Sequence, residues 1–409
     1  MASKTKIVRK SPIESPYYFA WIFTGLCAIL LISTLILVIL AFPGSGWDFL
    51  VYISAVIAEV QHLNPYDPAI IGQISHLPNF PFLYPPHTLA FFYILFIPRF
   101  FYIYYLVWTL FLLLSFYVMT RWEMAERLYL FTLLTTGFLS VFWSYLTGNL
   151  GILYLFLFSL VFYGIYLKRY YISSIVMGIL ASINIFPIIF SAVYALVRKN
   201  WIERLAIILT SVAVLGIIFL GSFLAAPSLF NEYLNTVQSG TNNPFLEGGG
   251  KDVPVSYFIN TPSPYWLIDQ LLKPLGLMDT PVFIALSAIY AIFIGFLWYL
   301  FYKKNNAFEM EMIAFSVISI FLILPRLKPY YFTFVLIPIF ILTKKYGISY
   351  KLATLSLVSL VPLILYLIYP VSQNIITSFG QFLALLIVFI FIFMTGMKDR
   401  AISTKKEKG

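Results

Sequence analysis

Charge and cysteine are what this 409-residue chain has least of. Only 10% of its residues are charged, against roughly 25% in a soluble domain, which excludes an ordinary water-soluble fold. The single cysteine, Cys27, excludes an intrachain disulfide and a thiolate metal site. Three histidines, His62, His76 and His87, stand at spacings that match no standard ligand pattern. They are read as polar surface or acceptor contacts, and no metal or cofactor is expected. Alternating ten-residue segments are also missing, which excludes a membrane β-barrel.

What is present is apolar: 61% hydrophobic and 19% aromatic residues, with a mean hydropathy of +0.92. Apolar runs cover approximately 17–42, 86–120, 128–146, 150–167, 171–197, 204–226, 281–302, 311–324, 330–343, 350–369 and 375–397. Runs of about 20 residues suit helices crossing a hydrocarbon core ~30 Å thick, so the expected fold is an all-α polytopic membrane protein. Run 171–197 is flanked by Lys168 and Arg169 on one side and by Arg198 and Lys199 on the other. Both ends then belong on one side of the membrane, with Asn184 and Pro187 at the turn. Run 86–120 is too long for one helix and is expected to break near Pro98-Arg99. With the hairpin counted, the chain has about twelve crossings.

A net charge of +10 raises the question of a nucleic-acid partner. Assigning loops by Lys and Arg content puts 21 of the 26 basic residues on one side, while the acids divide eight and eight. The excess therefore reports topology, and nucleic acid is unneeded. Both termini are expected in the cytoplasm of a plasma-membrane protein. Residues 1–16 form a tail, 17–397 a single transmembrane domain whose first run is a retained anchor, and 398–409 a basic tail. The polar regions 43–85 and 227–279 then face outward.

Chemistry is expected in the first of these. Between Asp48 and Gln61, Phe49, Leu50, Ile53, Val56, Ile57 and Val60 recur at helical spacing, with Asp48, Tyr52 and Glu59 opposite. This predicts an amphipathic helix lying along the membrane surface. Taken alone, Asp48 reads as the cap of that helix; a carboxylate able to take a proton from a hydroxyl is the second reading. Turn signals follow in "NPYDP" at 64–68 and "FLYPPH" at 82–87, and the region is expected to be an ordered lid.

The series "GWDFLVY" (46–52), "NPYDP" and "YPP" after a first apolar run resembles glycosyltransferase family 87, of the GT-C superfamily, which uses polyprenyl-phosphate sugars. The resemblance implies a GT-C-type fold and a membrane enzyme that moves a sugar, mannose foremost, from such a donor to a glycolipid, polysaccharide or glycoprotein acceptor. It also implies Asp48 as the general base. "TGNLGIL" at 147–153 keeps Gly148 of a Gly-Gln-x-Asn pattern, while Asn149 and Gly151 depart from it. "NIFP" at 184–187 has Asn184 where lysine is common. "LPRLKPYYF" at 324–332 offers Arg326 and Lys328 as contacts to the donor phosphate; their alternative role is snorkelling to headgroups. Glu59 and Asp67 are lesser candidates for the base. Tyr52, Tyr66, Tyr84 and His87 join them as candidate acceptor or sugar contacts, since aromatic faces with hydroxyl handles suit sugar rings. The rival class is a transporter or lipid flippase, for which a broken hairpin would be apt, but no ionisable residue is securely placed in the middle of any apolar run.

Overall fold

The computed structural model describes residues 46–77, 80–96, 103–121, 127–196, 198, 200–240, 264, 268, 271–276, 281–305, 309–324, 327–368 and 374–406. The first apolar run, Cys27, Arg326, Lys199 and the Pro98-Arg99 break lie outside these residues. Every regular element among the described residues is helical.

Among the described residues, six helical stretches are long and apolar enough to cross a membrane, including Ile103–Thr120, Trp201–Ala225 and Gly380–Lys398. Shorter apolar helices, such as Gly151–Tyr166 and Tyr170–Ile183, pack among them. Apolar side chains left exposed on the long helices, for example Ile217 at 69% and Ile292 at 70%, have no cost when the surroundings are lipid tails. This is a multi-pass membrane protein.

The chain opens with α1 (Trp47–Val60), α2 (Pro68–Ser75) and α3 (His87–Phe96). Helix α4 (Ile103–Thr120) follows, so the break expected in run 86–120 is bracketed by Phe96 and Ile103. Next come α5 (Arg127–Thr136) and α6 (Ser140–Thr147), separated by a 3-10 turn, Gly137–Leu139. Phe138 and Leu139 there adopt φ of 53° and 54°, a left-handed conformation unusual for bulky residues. Run 128–146 gave no hint of this kink. A Cβ at Gly137 would meet Leu336 Cδ2 at 2.4 Å, so the leucine side chain would have to turn away.

Helices α7 (Gly151–Tyr166), α8 (Tyr170–Ile183), α9 (Ile189–Leu196) and α10 (Trp201–Ala225) follow, with α7 largely buried and α10 exposing most of its length. The expected doubling-back of 171–197 is observed. Helix α8 stops at Asn184, and Pro187 opens a 3-10 turn, Phe186–Ile188, that reverses the chain. The two ends then meet: Arg198 lies 4.4 Å over the Tyr170 ring, and Tyr194 donates to Ser174 Oγ at 3.3 Å. Helix α11 (Pro227–Gly240) returns to the first polar region, where Asn64 donates to Glu232 at 3.2 Å and Tyr66 faces Tyr233. The chain continues with α12 (Pro281–Asn305), α13 (Glu309–Ile323), α14 (Thr333–Thr343), α15 (Ile348–Leu355), α16 (Val361–Ile368) and α17 (Asn374–Lys406).

Helix α14 is the buried pillar, with every residue from Thr333 to Thr343 buried. A helix apolar all round belongs inside such a bundle. Its neighbours bring two sets of polar residues to opposite ends of the same helices. One end gathers Tyr170, Arg198, Glu203 and Glu309. The other gathers Asp48, Asn149, Tyr84 and Tyr154.

Candidate functional site

Asp48 does not cap its helix. The cap position is Gly46, in left-handed φ of 83°, and no side chain bonds to the helix start. Asp48 lies one residue inside the helix, where the peptide dipoles favour an anion. Its carboxylate instead accepts from Asn149 Nδ2, at 2.8 Å.

Two glycines allow that meeting. Gly148 ends α6 with φ of 75°, and a Cβ on it would stand 2.5 Å from Phe49 Cβ. The turn after α6 can therefore press against the first turn of α1, and Gly46 N–H donates to Leu146 O at 2.7 Å. Gly151 opens α7, where a Cβ would meet Ser144 Oγ at 2.3 Å and Tyr330 Cβ at 3.0 Å. This lets the 3-10 turn Pro329–Phe332 approach closely and carries Lys328, just before it, toward the same place. Trp47 and Trp143 pack edge to face at 6.2 Å beside the junction.

From Asp48 a line of polar groups runs inward. Asn149, 3% exposed, donates also to Tyr52 Oη at 3.2 Å. The Tyr52 and Tyr84 hydroxyls are 3.1 Å apart, and Tyr154 donates toward Tyr84 Oη at 3.5 Å. Asn184 interacts with Tyr154 and donates to Tyr331 Oη at 2.9 Å. Residues from α1, the α6–α7 turn, α7, the tip of the α8–α9 hairpin and the turn before α14 thus share one region. Asn149 Oδ1 is buried and has no hydrogen-bond partner among the described residues.

Asp48 keeps partial exposure within largely protein surroundings. Burial raises its carboxyl above the ordinary value, and this outweighs three opposing influences: the Asn149 hydrogen bond, the Lys328 charge and a hydrogen bond from Thr147. Such a carboxylate holds a proton more readily than a free aspartate does. Burial likewise raises Tyr52 and Tyr84, with nearby ionisable groups adding to it, so both stay protonated donors.

The other expected residues divide. Helical spacing puts Tyr52 on the polar face of α1 with Asp48 and Glu59; in the structure it is 3% exposed and faces inward. Its hydroxyl is satisfied by Asn149 and Tyr84, and its ring stacks on Phe92 at 4.4 Å. Tyr84 belongs to the network. Tyr66 is a strut, donating to the Tyr84 carbonyl at 3.0 Å. Asp67 caps α2 by accepting from Ala69 N–H at 2.8 Å. Glu59 is exposed at the far end of α1, eleven residues and so roughly 16 Å along the axis from Asp48. His87 packs against Phe219, ring centroids 5.9 Å apart, outside the hydrogen-bonded line. His62 and His76 end α1 and α2 in left-handed conformations. Neither Asn149 nor Tyr154 is among the candidates that the sequence marks. The available signal was a lone amide in "TGN", between two apolar helices.

An all-helical membrane protein with one oriented carboxylate, a cation beside it and a train of hydroxyls suits transfer of a polyhydroxylated group. Residues 82–325, more than half the chain, match glycosyltransferase family 87. The chain belongs to that family, and it is a membrane glycosyltransferase. The matched stretch contains Tyr84, Asn149, Tyr154 and Asn184, and it leaves Asp48 and Lys328 outside its limits. No curated protein matches the chain.

Proposed function

We propose that the protein transfers a sugar, mannose foremost, from a polyprenyl-phosphate donor to a glycolipid, polysaccharide or glycoprotein acceptor at the outer face of the plasma membrane, with inversion at the anomeric carbon. One observation carries this reading: the Asp48 carboxylate, half-buried and aimed by Asn149, lies under the electrostatic influence of Lys328.

An acceptor hydroxyl approaches Asp48, whose Oδ2 is held by Asn149. As the hydroxyl oxygen bonds to the anomeric carbon, its proton passes to the carboxylate. The bond from that carbon to the phosphate oxygen breaks, and the electron pair leaves with the lipid phosphate. A positioned base contributes roughly 10²–10⁴-fold. Asp48 is a single base with no second carboxylate beside it among the described residues, and one displacement inverts the centre, as in inverting glycosidases. Burial aids the step because a carboxylate in low dielectric gains more by taking the proton.

Lys328 supports the leaving phosphate, where a point charge is worth more as negative charge develops. Arg326 is proposed as its companion. Tyr52, Tyr84 and Tyr154 offer hydroxyls to the sugars, and Asn149 Oδ1, buried without a partner among the described residues, can accept from a substrate hydroxyl.

The test is to incubate purified protein with polyprenyl-phosphate mannose, glucose or arabinose and a membrane lipid extract, then determine product configuration by NMR. Transfer from one such donor with inversion is expected. Transfer only from a nucleotide sugar, or with retention, would contradict the reading.

A further inference from the structure

At the end of the helices remote from Asp48, a cavity of about 450 Å³ opens between the α7–α8 turn and the loop before α10. Lys168, Arg169, Arg198, Glu203, Tyr171 and Ile172 are among the residues that line it. Arg198 is already engaged. It pairs with Glu203 at 2.9 Å and Glu309 at 3.6 Å, and it lies over the Tyr170 ring. Lys168 and Arg169 differ: both are exposed, and neither side chain has an ion pair or hydrogen bond among the described residues. Among the described residues, the cavity therefore carries two cations with no paired acid beside an Arg198–Glu203–Glu309 group whose charges are mutually engaged.

Lys168 occupies a position that does not suit a lysine backbone. It closes α7 through Lys168 N–H to Ile165 O at 2.9 Å and Arg169 N–H to Gly164 O at 2.8 Å, with φ of 58°. Glycine is the residue this helix ending favours, since it has no Cβ to clash. A long cationic side chain stands there at an energetic cost. Its presence is explained if the ammonium has a ligand.

The surroundings say which ligand. Tyr166, Leu167, Tyr171 and Ile172, next to the two cations, are between 41% and 54% exposed. Trp201, at the start of membrane-length α10, is 68% exposed. Exposed aromatic and aliphatic side chains at the end of such a helix mark the membrane interface, where headgroups meet acyl chains. Basic pockets at this level suit phosphate headgroups.

We propose that this cavity binds an anionic phospholipid, its phosphate held by Lys168 and Arg169 and its acyl chains lying along Tyr171 and Ile172. The site is separate from the sugar-transfer reaction and braces the base of the α8–α9 hairpin.

Native mass spectrometry of the full-length protein in neutral detergent tests it, with dioctanoyl phosphatidylglycerol, dioctanoyl phosphatidylcholine and inorganic phosphate as probes. Phosphatidylglycerol should bind at least tenfold more tightly than phosphatidylcholine. Each cation near a headgroup is worth roughly fivefold, so Lys168→Gln with Arg169→Gln should weaken phosphatidylglycerol about 25-fold, while Lys303→Gln with Lys304→Gln, elsewhere on the basic side, should not. Lys168→Gly separates binding from folding: it relieves the left-handed backbone, so the melting temperature should hold or rise while phosphatidylglycerol affinity falls about fivefold. Equal binding of the two lipids, undiminished binding by Lys168→Gly, or displacement of phosphatidylglycerol by millimolar inorganic phosphate would overturn the proposal; the last would mark a site for a soluble anion.

Discussion

Replacing Asn149 with alanine probes the geometry of the site without touching the proposed base. Asn149 holds Asp48 Oδ2 at 2.8 Å and Tyr52 Oη at 3.2 Å, so Asn149→Ala releases both at once. Two consequences oppose each other. Losing a donor makes the carboxylate more basic, which helps proton transfer. Losing its anchor lets it leave the productive position, and a displacement of about 1 Å can cost roughly 10²-fold. Orientation outweighs basicity here, because burial already raises Asp48 and further basicity mainly removes ionised enzyme. The expected loss is about 10- to 100-fold in kcat, with KM for the donor little changed. The pH profile provides the signature. The Asn149 bond lowers the Asp48 pKa, so its removal should move the acid limb of kcat/KM to higher pH. By the same linkage, the folded-state pKa rises further above the unfolded one, and the stability deficit of the variant should widen as pH increases through that limb. Initial rates from pH 4 to 8, paired with melting curves, check both. A rate within twofold of wild type and an unmoved acid limb would refute this role for Asn149.

Asp48→Asn should leave the melting temperature at neutral pH unchanged or higher, since a raised carboxyl pKa means the charged form is disfavoured in the folded protein; a marked fall would mean that the charge is structural. Gly148→Ala should destabilise and inactivate, because φ is 75° and the new Cβ would stand 2.5 Å from Phe49 Cβ; a cost of about 1–3 kcal/mol is expected, measured by thermal unfolding. Lys328→Gln should raise KM for the lipid-linked donor or lower kcat; unchanged kinetics would assign Lys328 to the headgroups alone. For topology, in a Cys27→Ser background, Gln73→Cys should react with an impermeant thiol reagent in intact cells and Lys303→Cys only after lysis. The reverse pattern would put the proposed site on the wrong side.

Helical periodicity and proline placement made much of the fold legible. Helix α1 begins within a residue of where the apolar spacing starts, and the hairpin was visible because Lys168-Arg169 and Arg198-Lys199 bracket a run with Asn184 and Pro187 at its middle. The Phe138-Leu139 kink was not legible, since left-handed backbone at bulky residues is imposed by tertiary packing and leaves no composition signal. Within the site, Asp48 stood out as an acid beside a long apolar run. Its partner did not, because Asp48 and Asn149 are 101 residues apart and only the close approach at Gly148 joins them. Tyr52 was assigned to the wrong face because spacing alone treats a tyrosine as polar, whereas one with satisfied hydroxyl contacts can be buried.

The central claim is that Asp48 accepts the proton of the attacking hydroxyl, and transfer by Asp48→Asn tests it most directly. Asparagine keeps the size and the polarity of the side chain but cannot take up that proton. With polyprenyl-phosphate sugar and acceptor supplied, the variant should fold and bind donor like wild type while transfer falls by about 10²–10⁴-fold. Glu59→Gln and Asp67→Asn, which alter an exposed acid and a helix cap of the same region, should retain most of the rate. If Asp48→Asn turns over at close to the wild-type rate while either of those two loses activity, the base is elsewhere and the account of the site is wrong.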